Sequence, residues 1–227
     1  KVDIGSVIRF EDDGPTARIS LVKNASVTHD ESAGLQNATA TPLIARDADV
    51  IGAYLDQYMR SKGDATVLET AVPFLDGPPL APGQHDAFFL PGSSEVTATL
   101  FAHCALGLDR AIALTGALGL PLIGTGDWND GMNRVGQDGQ GESVWLGWLL
   151  LATLNRFAPL AAPGDPDRAA RWQTHAINLR AALEREAWDG DWYRRATFDD
   201  GTWLGSAAGQ SCRIDSIAQS WAVLSGQ

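Results

Sequence analysis

Basic charge is scarce in this chain. Its 227 residues hold 17 Lys and Arg against 28 Asp and Glu, a formal net charge of −11. An acidic surface repels phosphate backbones and anionic lipid, so no nucleic-acid partner is expected. Long apolar runs are lacking as well: Leu149–Ala152 extends only loosely to Leu146–Leu154, with Gly147 inside. A bilayer span needs roughly 20 residues, so no membrane segment is expected. The first residues, Lys1-Val2-Asp3-Ile4-Gly5, lack the apolar stretch of a signal peptide. Cysteine is nearly absent, and Cys104 and Cys212 sit in no CxxC or other ligand spacing. No metal site is therefore expected, and two buried free thiols fit a reducing, cytoplasmic compartment. Tryptophan is missing from the first 127 residues, although eight lie between Trp128 and Trp221. Two kinds of sequence are thus joined here.

What is present suffices for a core. The chain is 44% hydrophobic, long enough for one large domain, or a medium domain with an appendage. Residues 1–48 show period-two apolar spacing at Val7-Ile8-Arg9-Phe10 and Arg18-Ile19-Ser20-Leu21-Val22, which predicts a short β-rich segment. From Asp49 the pattern turns helical, with Val50, Ile51, Tyr54, Leu55 and Tyr58 on one stripe. Residues 72–93 hold five Pro and read as a long loop. Helices are predicted over residues 95–116, over 143–159 (apolar all round, hence buried), and from Asp165-Pro166 to about Trp188. A hairpin pairs Trp192–Arg195 with Thr202–Leu204 across Asp200-Gly201, and a last helix covers residues 214–224. The expected fold is mainly α, with function on the loops and a short β segment at the N-terminus.

The chemistry concentrates in Gly124-Thr125-Gly126-Asp127-Trp128-Asn129-Asp130-Gly131-Met132-Asn133. Glycines allow tight turns from which two carboxylates, an amide and an indole project together. An indole face stacks on a sugar ring while carboxylates and amides bind hydroxyls. A carboxyl desolvated beside an indole is raised in pKa and serves as a general acid near neutrality. The same spacing also suits Asx-turns, helix N-caps and metal loops, so spacing leaves those alternatives open.

Residues 124–151, from Gly124-Thr125-Gly126-Asp127-Trp128-Asn129-Asp130 to Leu149-Leu150-Leu151, resemble the signature of glycoside hydrolase family 94. More narrowly, they are similar to the phosphorylase-like domain of cyclic β-1,2-glucan synthases. Val72–Leu80, Asp191–Ala196 and Cys212–Trp221 match in the right order, so the resemblance spans about residues 49–227. It implies an incomplete (α/α)6 barrel and inverting phosphorolysis of a β-glucosidic bond. Inorganic phosphate is then the co-substrate, a β-glucan oligosaccharide the partner, and no other cofactor is implied. A single acid suffices, because phosphate is itself a competent nucleophile. The resemblance makes Asp130 the general acid and Trp128 the stacking residue of the −1 subsite. Asp127 and Asn129 shape the loop or bind hydroxyls.

Other residues carry two readings each. Glu142 either serves the N-terminus of the following helix or contacts sugar. Arg213 and Asp215 meet across the cleft or form an ion pair. His85 and Asp86 lie in the Pro-rich loop as solvated residues or substrate contacts, His103 fits a satisfied core residue, and the paired Arg194 and Arg195 fit a solvated hairpin face or phosphate ligands. In the family, the His and Thr-Gly pair that hold phosphate follow the Ile217-Ala218-Gln219-Ser220-Trp221 motif, and the sequence ends at Gln227. Weak or absent turnover by this chain alone is therefore expected. Residues 1–48 resemble a repeat of type I-secreted bacterial adhesins, through Phe10–Ala17 and Val27–Gln36. Two further functions fit the same residues. An inverting β-glucoside hydrolase would need a second carboxylate roughly 6.5–9.5 Å from the acid, with Asp215 the candidate. A non-catalytic glucan-binding fragment would need only the Trp-bearing cleft.

Overall fold

A computed structural model describes residues 64–81 and 87–226. The strands expected within 1–48, the helix from Asp49, and His85 and Asp86 lie outside the described residues.

The Pro-rich segment departs from expectation. Strand β1 (Ala71–Asp76) pairs antiparallel with β2 (Gly92–Thr99), Ala71 opposite Thr99, with a shift in register between Pro73 and Leu75. Residues 72–93 are therefore not one loop, and helix α1 covers only Leu100–Ala113. The reason is local: Val96, Thr97 and Thr99 are β-branched, and Thr99 ends the strand as an N-cap. Its hydroxyl accepts a hydrogen bond from Ala102 N at 3.1 Å. His103 ties the hairpin to α1, with Nε2 3.0 Å from the Val72 carbonyl and its ring 4.1 Å from that of Phe74.

Two long helices form the centre. Helix α2 (Val144–Ala161) is capped by Ser143, whose Oγ accepts from Leu146 N, and is buried on nearly every side. Its 18 residues, of mean hydropathy 1.3, would meet the length and composition of a membrane span. However, 72% of the helix is buried inside the molecule, as befits a core helix. Helix α3 (Pro166–Ala182) starts at the Asp165 cap with Pro at its first position, and Ala169, Trp172, Ala176 and Leu179 form its buried stripe. Close approach of the chain after α3 needs Gly147, where an added Cβ would stand 2.9 Å from Leu183. A π-helical turn (Leu183–Ala187) extends α3 nearly to the expected end at Trp188.

The hairpin is shorter than expected and displaced along the chain. β3 (Ala196–Thr197) pairs with β4 (Trp203–Leu204) across a turn at Asp200-Gly201, where Gly201 has φ +81°. Isolated bridges Ser143↔Ala196 and Leu122↔Glu142 join it to the segment that enters α2. Helix α4 (Ser216–Leu224) starts at Asp215, whose Oδ1 accepts from Ile217 N at 3.0 Å. Trp148, Trp172, Phe157 and Leu150 anchor the core, and the described part of the fold is mainly α.

Candidate active site

The Gly-rich segment 124–133 runs over the entrance to α2. Gly124 and Gly126 take φ of +56° and +126°, conformations that side chains disfavour, and they turn the chain at Asp127. Three neighbours then differ sharply in exposure. The Asp127 side chain is fully buried. Trp128 is 60% exposed, whereas Trp148 and Trp172 are wholly enclosed. Asn129 is exposed, and its Oδ1 accepts from Gly131 N at 3.0 Å, holding the 3-10 turn Asp130–Met132. Asp130 is the first residue of that turn.

Asp127 is held from below by Arg195, which is 2% exposed. Arg195 Nη1 lies 2.7 Å from Asp127 Oδ2, and Nη2 donates to Oδ1 at 2.8 Å, a bidentate fork. Ser143 Oγ donates to Asp127 Oδ2 at 2.9 Å, and Asn129 N donates to Oδ1 at 3.2 Å. The expected solvated Arg pair is thus corrected. Arg195 lies in the interior, while Arg194 bonds Asp189 through Nε at 2.9 Å and lies 4.8 Å over the Trp203 ring. The interior place of Arg195 was missed because a pair of like charges usually marks a surface, and its carboxylate partner lies 68 residues away.

Asp215 reaches the same guanidinium, with Oδ2 3.2 Å from Arg195 Nε, off the line of a hydrogen bond. Arg213 stays exposed, and its Nε donates to the Ala207 carbonyl at 3.1 Å. Of the two readings for this pair, neither meeting occurs: Asp215 joins Arg195 rather than Arg213.

Glu142 is 2% exposed. Its two oxygens accept from Leu118 N at 2.9 Å and Leu120 N at 2.8 Å. Burial pushes its carboxyl above the usual value, against the opposing pull of these amides. Gly116 leaves it room, since an added Cβ there would stand 2.3 Å from the Glu142 carboxyl carbon. Sequence reasoning also passed over Asp199. Its oxygens accept from Asp138 N, Gln140 N and Gly141 N at 2.8–2.9 Å, clamping the loop that leads into Glu142 and Ser143. Burial raises its carboxyl, but the three amides outweigh that and hold it below the usual range.

The cysteines divide. Cys104 is buried, and burial pushes its thiol up to about 11, far from a reactive thiolate. Cys212 is exposed rather than buried, and has φ +49°.

Residues 16–227 match the family model for the glycosyl hydrolase 94 superfamily catalytic domain, and the chain belongs to that family. The match begins inside the segment 1–48. The chain is similar to the cyclic beta-(1,2)-glucan synthase NdvB of Rhizobium meliloti, at 50% identity over 192 residues. That alignment covers 84% of this chain and 7% of the relative. A 3-O-beta-D-glucopyranosyl-beta-D-glucuronide phosphorylase of Paenibacillus borealis is 39% identical over 136 residues, 60% of this chain and 18% of that protein. Solabiose phosphorylase of the same organism is 32% identical over 188 residues, covering 82% and 22%. The chain therefore spans less than a quarter of the length of each of these relatives.

Proposed function

We propose that this chain carries the acid-bearing portion of an inverting glycoside phosphorylase that acts on β-glucosidic bonds, β-1,2-glucan foremost. Asp130 gives its proton to the glycosidic oxygen as the bond to the anomeric carbon breaks. A phosphate oxygen attacks that carbon from the opposite face, so a β-glucoside yields α-glucose 1-phosphate and a shortened glucan. Trp128 stacks on the −1 sugar, with Asn129 beside it. The observation that carries this reading is the exposed Trp128 indole two residues ahead of Asp130, on a turn pinned by a buried ion pair. An exposed indole offers a broad apolar face and an N–H at its edge, the combination that makes Trp frequent where proteins meet a partner.

The other named residues divide in this reading. Asp127 spends both oxygens within the protein, so it shapes the loop. Glu142 brackets residues 118–120 and leaves sugar contact to others. Arg213, exposed on the approach to α4, remains a candidate for sugar or phosphate. Asp215 is committed to Arg195 and to the Ile217 amide, which weakens the case for it as the base of an inverting hydrolase. Within the family, the fold that frames this portion is an (α/α)6 barrel.

The phosphate requirement provides the test. β-1,2-glucan with phosphate is expected to give α-glucose 1-phosphate. Free glucose released equally well without phosphate would overturn the proposal in favour of hydrolysis.

A further inference from the structure

We propose that Arg195 is a positioning residue, which holds the Trp128–Asp130 turn in place through the Asp127 carboxylate and ties it to the start of α4 at Asp215. The proposal rests on reading that turn as the sugar-contacting one.

Arg195 is fixed before its side chain is considered. Its amide donates to the Leu204 carbonyl at 2.8 Å, and its carbonyl accepts from Val144 N at 3.1 Å. The hairpin thus fastens it directly against the first residue of α2. Gly205 permits this approach: at φ +77°, an added Cβ would stand 2.8 Å from Arg195 N. From that anchored backbone the guanidinium reaches three separate segments. It forks onto Asp127 in the sugar turn, lies 3.2 Å from Asp215, and sits beside Ser143 Oγ at 3.3 Å and Met132 Sδ at 3.1 Å. Met132 closes the 3-10 turn that Asp130 opens, so Arg195 touches both flanks of Asp130 in sequence.

The far side is equally tied. Gln219 of α4 accepts from Tyr193 N at 2.9 Å and donates to the Tyr193 carbonyl at 2.6 Å and to the Asp215 carbonyl at 3.1 Å. The segment that carries Arg195 and the first turn of α4 are thereby one unit. A buried guanidinium between two carboxylates is costly to desolvate, and a pair of apolar residues often serves stability as well. What the charged fork adds is direction: it fixes the Asp127 carboxylate, and with it the Asn129 amide, in one orientation.

Hydrogen exchange on the 227-residue chain tests this. Arg195→Met is expected to speed amide exchange roughly ten-fold across residues 127–133, with residues 144–161 still protected. Asp127→Asn, which leaves Arg195 beside Asp215, is expected to loosen the same residues. The double variant should add little to either single one, because both remove one interaction. Arg195→Lys restores charge without the fork and should recover only part of the protection. Unchanged exchange at 127–133 in Asp127→Asn, or an equal rise through 144–161, would overturn the proposal; should Arg195→Met fail to fold, Asp127→Asn decides. Asp130→Asn keeps the two claims apart, since it should remove phosphate-dependent release while leaving exchange at 127–133 unchanged. A coupled exchange response with no phosphate-dependent release would support positioning and refute the reaction.

Discussion

Three neighbouring residues, Asp127, Trp128 and Asn129, do different work because the backbone turns between them. One is buried in an ion pair, one faces solvent and one caps the next turn. The sequence pattern told that these residue types were crowded together, but not which of them faced inward. That depended on Arg195, 68 residues further along the chain, and no local rule anticipates such a partner. For Trp128→Ala, the account expects weaker glucan binding, by about 1–3 kcal/mol for the loss of one ring-stacking contact, with an unchanged melting temperature. Binding titrations and thermal melts check both halves. Glu142 yields a prediction of its own. Its carboxyl is raised in the folded state, chiefly by burial, so the folded chain holds that proton more tightly than the unfolded one. The stability it contributes is complete below its ordinary pKa and declines as pH rises through the raised value. Melting temperatures of wild type and Glu142→Gln, followed from about pH 4 to pH 7, should show this decline only in the wild type.

At the scale of elements, two helices were legible at their starts, whereas α1 begins after Thr99 rather than at residue 95. Ser143 and Asp165-Pro166 announce α2 and α3, and the structure starts both helices there. The β1–β2 hairpin was not legible. Its strands pair across a Pro-rich connection, and pairing at that separation leaves no local periodic signal. The β3–β4 hairpin was found through its Asp-Gly turn, yet its register was misjudged by the length of the turn's flanks. The Asp199 clamp belongs to this hairpin and gives the loop 138–141 its shape. Asp199→Ala is expected to cost about 2 kcal/mol, from the loss of charge-assisted hydrogen bonds. Because its carboxyl is held low in the folded state, its contribution is present above the ordinary value and is lost as pH falls. Denaturant melts of wild type and Asp199→Ala should therefore converge in acid.

For the whole molecule, the tryptophan count acquires a structural meaning. Trp145, Trp148 and Trp172 build the core around α2 and α3, and Trp128 stands apart from them in solvent. Trp172 also donates from Nε1 to Asp109 Oδ1 at 2.7 Å, and Asp109 pairs with Arg168 at 3.2 Å, so α1 and α3 are joined by polar contacts. Trp172→Ala should cost about 3–5 kcal/mol, and lower the melting temperature by about 10 °C. A scanning calorimeter reads both. Family membership was legible because several motifs occur in order, each short and chemically specific. The extent of the match was less so: it begins at residue 16, within a segment whose composition looks foreign to the rest.

The most direct test of the account is the release of glucose 1-phosphate from β-1,2-glucan and phosphate by wild type and Asp130→Asn, side by side. Removing a general acid costs about 10²–10⁴-fold in rate. The account predicts phosphate-dependent release in the wild type and a loss of that size in Asp130→Asn, whose fold and glucan binding persist. Equal release by the two proteins would contradict it.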